Sequence, residues 1–275
     1  MITTVTQVFD FGCNGHITLK IQGYEQAYSL LNDLPDLGLA IVGTRAPHPQ
    51  SVRHLKAVVQ SISKTNLIIV SGFARGIDGA AHECALQNGL RTIAFLPTGI
   101  MQNYPQEHRE LRKKIIENGG LICSEFPDHQ NAFKSNFLKR NRLLVLFSKA
   151  TWVVQAGYQS GAMNTAKWAI EFEKPLFTTP CFPGDMNYCG NEHLLKQPQV
   201  TPLWSAEDLS QVWFNHFSNF SEIPITTKKT DLLPGIEKYI QSSNTRFEAL
   251  ESWCKDHNEK LENWVFTLEK SQFFD

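Results

Sequence analysis

The sequence predicts an α/β protein with a doubly wound, mostly parallel, Rossmann-like sheet, and three observations carry that expectation. Short runs apolar on both faces recur between residues 39 and 203. Segments with helical apolar spacing separate them. Most of the runs stop at glycine, serine or a Pro-Thr-Gly turn. A strand that is apolar on both faces needs cover on both sides, which alternating helices supply in a parallel sheet.

The elements follow in order. Residues 5–11 and 17–21 alternate apolar and polar side chains around Cys13-Asn14-Gly15, the pattern of a small hairpin. Residues 24–37 read as a short helix and a connector. The run 39–42 ends at Gly43, and Val52, Leu55, Val58, Val59 and Ile62 then fall at helical spacing. The run 67–70 stops at Ser71-Gly72, and a helix over 78–86 closes at Asn88-Gly89. A strand over 92–96 ends at Pro97-Thr98-Gly99. Pro105 opens a helix carrying Leu111, Ile115 and Ile116, stopped by Gly119-Gly120. Residues 121–124, 151–154 and 176–179 are three further strands. Beyond Asp208 the charges intersperse, and Trp253, Trp264, Phe266, Phe273 and Phe274 lie in helical patterns. Three regions result: an N-terminal β/α extension (1–38), a Rossmann-like domain (39–208) and a helical C-terminal segment (209–275), with 226–230 as a linker.

Composition bounds the function without choosing it. With 42% hydrophobic and 19% charged residues the chain is globular. A net charge of -1 neither supports nor excludes a nucleic-acid partner, because a local basic stripe suffices. Six scattered cysteines without a CxxC pair read as reduced thiols, and no metal site is expected. No apolar run approaches the ~20 residues that span a bilayer. No basic-then-apolar leader opens the sequence, so the expected address is the cytoplasm, with no membrane partner.

Ligands of open parallel sheets bind outside the carboxyl ends of the strands. The loops there are rich in small residues: Gly43-Thr44-Arg45, Ser71-Gly72-Phe73-Ala74-Arg75-Gly76, Pro97-Thr98-Gly99 and Gly157-Tyr158-Gln159-Ser160-Gly161. Such loops let backbone N–H groups approach an anion, and a following helix N-terminus favours it further. A second feature is basic: Lys134, Lys139, Arg140, Arg142 and Lys149 are interleaved with Phe133, Phe137 and Asn141, with no carboxylate in the run. Cations among aromatics suit a single strand, whose phosphates pair and whose bases stack; most charge runs, by contrast, are solvated helix faces. Asp78 is expected to cap its helix, His82 to be a packed, hydrogen-bonded histidine, and Glu125 to be a buried partner for Arg75 or Arg45.

Residues 71–78, followed by Ala81-His82 and Ala85-Leu86, closely resemble the SGxARGID-x-x-AH-x-x-AL signature of the DprA/Smf family. Ile41-Val42-Gly43-Thr44-Arg45, Tyr104-Pro105, Ser124-Glu125-Phe126-Pro127, Arg140-Asn141-Arg142, Ser160-Gly161 and Gly190-Asn191 continue the likeness in order. Leu138 stands where the family has proline, and Gln155 where it often has glutamate. The family's N-terminal helical domain is absent or reduced, and no winged-helix module is evident. The resemblance implies a homodimer that binds single-stranded DNA and hands it to a RecA-type recombinase, with no cofactor or metal. It assigns the phosphate pocket to Arg45, Ser71, Gly72, Phe73, Ala74 and Arg75, and the DNA track to Lys139, Arg140 and Arg142, with Lys134 and Phe137; Gly43, Ser160 and Gly161 join from the strand-end loops.

Two other classes stay open at this point. A nucleotide sensor, or an enzyme resembling the phosphoribohydrolases of this general fold, would need a carboxylate near the ribose, and the PGGxGTxxE loop that supplies it there is missing. A dinucleotide-dependent oxidoreductase would need GxGxxG and a later acidic residue, and both are missing.

Overall fold

The computed structural model describes residues 1–181, 184–217 and 255. Met1–Phe217 form one compact unit around a nine-stranded sheet of order β1-β2-β6-β5-β4-β3-β7-β8-β9. The parallel part is built by β3 (Gly38–Val42), β4 (Ile68–Ser71), β5 (Thr92–Phe95), β6 (Leu121–Ser124), β7 (Ala150–Val153), β8 (Leu176–Thr178) and β9 (Val200–Pro202). Every residue within the six strands β3, β4, β5, β6, β7 and β8 is buried, as their two-faced apolar character requires. The doubly wound class is therefore observed. β9 was not legible as a strand, being three residues long and ending in proline.

The hairpin is real and longer than its pattern implied: β1 (Ile2–Asp10) pairs antiparallel with β2 (His16–Tyr24). Its position is less expected. β2 pairs antiparallel with β6, so residues on both sides of the 38/39 boundary share one sheet. Alternate β2 residues Ile17, Leu19 and Ile21 are buried, while His16 and Thr18 are exposed.

Two helical layers cover the sheet. In one, α2 (Pro49–Ser61) packs on α3 (Ile77–Gln87), and α3 on α4 (Arg109–Glu117). In the other, α1 (Leu30–Leu37) packs on α5 (Lys134–Phe147), and α5 on α6 (Gly161–Glu171). The chain then forms α7 (Cys189–Leu195) and α8 (Ser210–Phe217). Trp213 of α8 is buried and donates its indole N–H to Asp36 O at 2.6 Å, so the packed unit reaches past residue 209. The helices expected further on fall outside the described residues. Among the described residues, no helix is long and apolar enough to cross a membrane.

His82 is fully buried on α3, as expected of a packed histidine. Thr92 donates its hydroxyl proton to Ile69 O at 2.9 Å, so Thr92 Oγ1 accepts from His82 Nδ1 at 2.6 Å. His82 Nε2 has no hydrogen-bond partner. Burial, with smaller contributions from His108 and Arg140, pushes its pKa from 6.5 down to about 3. The folded state thus refuses a proton that the unfolded chain accepts. The resulting stability is complete above pH 6.5 and is lost as pH falls toward 3. We expect a loss of about 3 kcal/mol between pH 6.5 and 4 from this residue, read by urea unfolding. His82→Gln should flatten that slope; an unchanged slope would assign acid sensitivity to other groups.

Candidate nucleic-acid interface

The chain enters the parallel sheet at β3, winds outward through β4, β5 and β6, then returns to lay β7 on the other side of β3. The loops after β3 and β7 therefore part company at a topological switch point, where a crevice is expected. A cleft of about 780 Å³ lies there. Gly43, Arg45, Ala74, Lys134, Phe137, Arg140, Ser160 and Gly161 line it, together with Asp78, Tyr104 and Asn141.

The loop bearing Arg45 is held from both sides. Gln155, just beyond β7, accepts Thr44 N–H on its backbone oxygen at 2.8 Å. Its side-chain oxygen accepts His48 N–H at 2.8 Å and the Ser51 hydroxyl at 2.7 Å. From the other side Ile77 N–H donates to Thr44 O at 3.1 Å. That approach requires glycine at 76: its φ is +77°, and a Cβ there would strike Thr44 O and the Arg45 backbone. Arg45 itself is exposed, has no ion pair among the described residues, and lies 4.6 Å above the Phe137 ring centroid. Tyr104 meets the same ring edge-on at 5.8 Å and is 39% exposed.

On α5, Lys134, Phe137, Leu138 and Asn141 share one face by helical spacing, and that face lines the cleft. Lys134 is exposed and has no ion pair among the described residues. Asn141 donates to Gly161 O at 3.1 Å and to Asn164 Oδ1 at 3.3 Å, fixing the start of α6 against α5. At that start Ser160 is the N-cap residue, and its Oγ is buried without a hydrogen-bond partner. Free N–H groups of a first helical turn beside an unused hydroxyl are suited to an anion.

Six of the sequence-assigned residues lie elsewhere, for identifiable reasons. Ser71 is fully buried and donates to Ile41 O at 2.6 Å. Gly72 is buried and gives its carbonyl to Arg140. Phe73 is buried with φ +59°, its ring edge-on to His108 at 5.1 Å. This strained residue turns Ala74 N–H toward Asp78 Oδ2, 3.3 Å away. Arg75 is exposed but ion-paired with Glu107. Lys139 and Arg142 point instead at Glu125, the former at 3.8 Å. A run free of carboxylates in sequence is thus not free of them in space.

Arg140 lines the cleft but is 2% exposed, so it forms part of the wall and not of an open track. It donates to Gly72 O and Phe95 O, and to Asn141 Oδ1 at 3.3 Å. Burial pushes its pKa down to about 10, with neighbouring Asp78 opposing, so it stays charged at neutral pH. Asp78 is corrected as well: it is the second residue of α3 and makes no cap bond. Burial pushes its carboxyl up, while Arg140 and the N–H groups of Ala74 and Gly43 hold against this. It ties the two glycine loops together. Glu125 is a buried partner, but of Arg142 and Lys139, not of Arg75 or Arg45. Burial raises its pKa and Arg142 opposes most strongly. Thr44, Tyr104 and Asn141 were missed as site residues; their signals were a strand-end loop, a Tyr-Pro pair and a polar residue within the basic run.

These features define a Rossmann-like α/β protein with a basic, aromatic-lined cleft at its switch point. Residues 28–213 match the model of DNA recombination-mediator protein A, and the chain belongs to that family. It is 41% identical to protein Smf of Synechocystis over 146 residues, covering 53% of this chain and 36% of that protein. It is 34% identical to protein Smf of Escherichia coli over 184 residues, covering 67% of this chain and 49% of that protein. The chain thus spans half or less of the length of these two relatives. DNA processing protein A of Helicobacter pylori, whose solved structure concerns its single-stranded DNA binding mode, superposes with a TM-score of 0.67 at 30% identity. That match covers 78% of this chain and 96% of the other.

Proposed function

We propose that the chain binds single-stranded DNA without regard to sequence along this cleft, acting by binding and not by catalysis. In the same proposal it is a cytoplasmic homodimer that passes the strand to a RecA-type recombinase. The observation that carries the DNA reading is the group at the cleft mouth: Arg45 over the Phe137 ring and Lys134 one turn before it, both without an ion pair among the described residues, and Tyr104 beside the same ring. Cations there meet phosphates, and the rings offer a stacking surface to any base. The N–H groups at the start of α6, where Ser160 is the N-cap residue, add neutral donors to a phosphate. Family membership and the single-stranded DNA binding of the Helicobacter pylori relative support the same reading. The carboxylate nearest the cleft, Asp78, is engaged by loop amides, which argues against a sugar-cleaving role for it.

Four phosphate contacts would give a log K against log salt slope near −3 for a single strand. With Lys139 and Arg142 engaged by Glu125 and Arg140 buried in the wall, three exposed cations remain: Arg45 and Lys134 in the cleft lining, and Arg75, outside the lining but next in sequence to cleft residue Ala74 and partly neutralised by Glu107. The expected slope is then about −2, with duplex a weaker competitor than single strand. Equal competition by duplex, or binding indifferent to salt, would remove this reading.

A further inference from the structure

One wall of the cleft comes from the loop after β7, through Gln159, Ser160 and Gly161. The residue just before them, Tyr158, lies outside the lining and is 59% exposed, more than Tyr104 of the cleft group at 39%. Two residues of chain span at most about 7 Å, so Tyr158 Cα lies within that distance of Ser160 Cα. The backbone between the cleft and this ring is open to an approaching chain. A Cβ built on Gly157 or Gly161 would meet nothing within 4 Å beyond its chain neighbours.

Tyr158 is also held in place. Its N–H donates to Cys189 Sγ at 3.0 Å, at the first residue of α7. One turn further along α7, the His193 ring meets the Tyr158 ring edge-on, with centroids 5.2 Å apart and planes at 87°. The large exposure of Tyr158 shows that this contact leaves much of the side chain in water. An aromatic ring fixed in advance gives contact area at little entropic cost. Glu192, beside His193 in sequence, is paired with Lys196 at 2.8 Å, which blunts its repulsion of a phosphate.

We propose that Tyr158, braced by His193, is a second base-stacking platform that takes the single strand where it leaves the cleft past the start of α6. This rests on the single-stranded DNA reading of the cleft and extends it. A strand held at Arg45 and Phe137 continues over the first turn of α6 and lays a further base on the Tyr158 ring. Every base has a π face, so the platform lengthens the site without adding sequence preference. The ring is uncharged, so it adds affinity without releasing further counterions.

Anisotropy titrations of the full chain with oligothymidines of increasing length test this. The reference is the shortest strand whose binding depends fully on Arg45 and Lys134; wild type and Tyr158→Ala should bind it equally. On longer strands wild type should gain affinity, and Tyr158→Ala should fall about tenfold behind, the share of one stacked base. The salt slope should be the same for both. Tyr158→Phe should follow wild type, because it keeps the ring. Equal affinity of wild type and Tyr158→Ala at every length would overturn the platform. An equal loss at every length would also overturn it, since that marks a distorted cleft. Tyr158→Phe as weak as Tyr158→Ala would overturn the stacking role. Failure of the cleft reading looks different: no strand would then depend on Arg45 and Lys134 at all.

Discussion

Arg140→Ala is expected to cost the protein its fold before it costs any contact with DNA. The guanidinium is 2% exposed and ties Gly72 O on the loop after β4 to Phe95 O at the end of β5. It also stands beside buried Asp78, where its charge opposes the upward push that burial gives the carboxyl. Removing it leaves two buried carbonyls short of a donor and a buried carboxyl without its neighbouring cation. Breaking such an arrangement costs about 3–5 kcal/mol, against a typical total of about 5–15 kcal/mol. For a domain of this size that lowers Tm on the order of 10 °C. Arg140→Lys should recover only part of the loss: Nη1 alone donates to both carbonyls, but an ammonium cannot also supply the Nε donation to Asn141 Oδ1. The measurement is a thermal melt followed by far-ultraviolet circular dichroism. An Arg140→Ala protein melting with wild type would refute the assignment of Arg140 to the wall.

The contrast between Arg140 and its neighbours shows what a linear reading can reach. The parallel strands were legible because their two-faced burial leaves an apolar run that little else explains. The strand-end loops were legible because small residues clustered there. Lys134, Lys139, Arg140 and Arg142, however, look alike in a string of letters. About 100° of helix rotation per residue sends Lys134 to the cleft, Lys139 and Arg142 toward Glu125, and Arg140 beneath Gly72. Glu125 lies 17 positions before Arg142, and only the packing of α5 against the end of β6 brings them together. The same limit applies to Asp78, whose place near a helix start looks like capping until the loops folded over it are seen.

The second large effect falls on Arg45 and Lys134. Both are exposed and neither has an ion pair among the described residues; Arg45 acts on buried Asp78 only at longer range, after Arg140 and the Ala74 N–H. Their substitution should therefore leave the fold intact, in contrast to Arg140. A charge-assisted contact to a phosphate contributes on the order of 1.5–3 kcal/mol. Losing two such contacts weakens binding by about a hundredfold or more. The salt slope should shrink by about 1.4, the share of two phosphates on a single strand. Phe137→Ala should add a further loss that salt does not alter, since it removes the ring under Arg45 and not a charge.

Fluorescence anisotropy of a labelled oligothymidine, titrated with wild type and with the Arg45→Ala, Lys134→Ala double variant, tests the central claim most directly. The expected result is tight, salt-sensitive binding by wild type and at least a hundredfold weaker binding by a variant whose melting temperature is unchanged. Equal affinity in the folded double variant would contradict the cleft as the place where the strand is held.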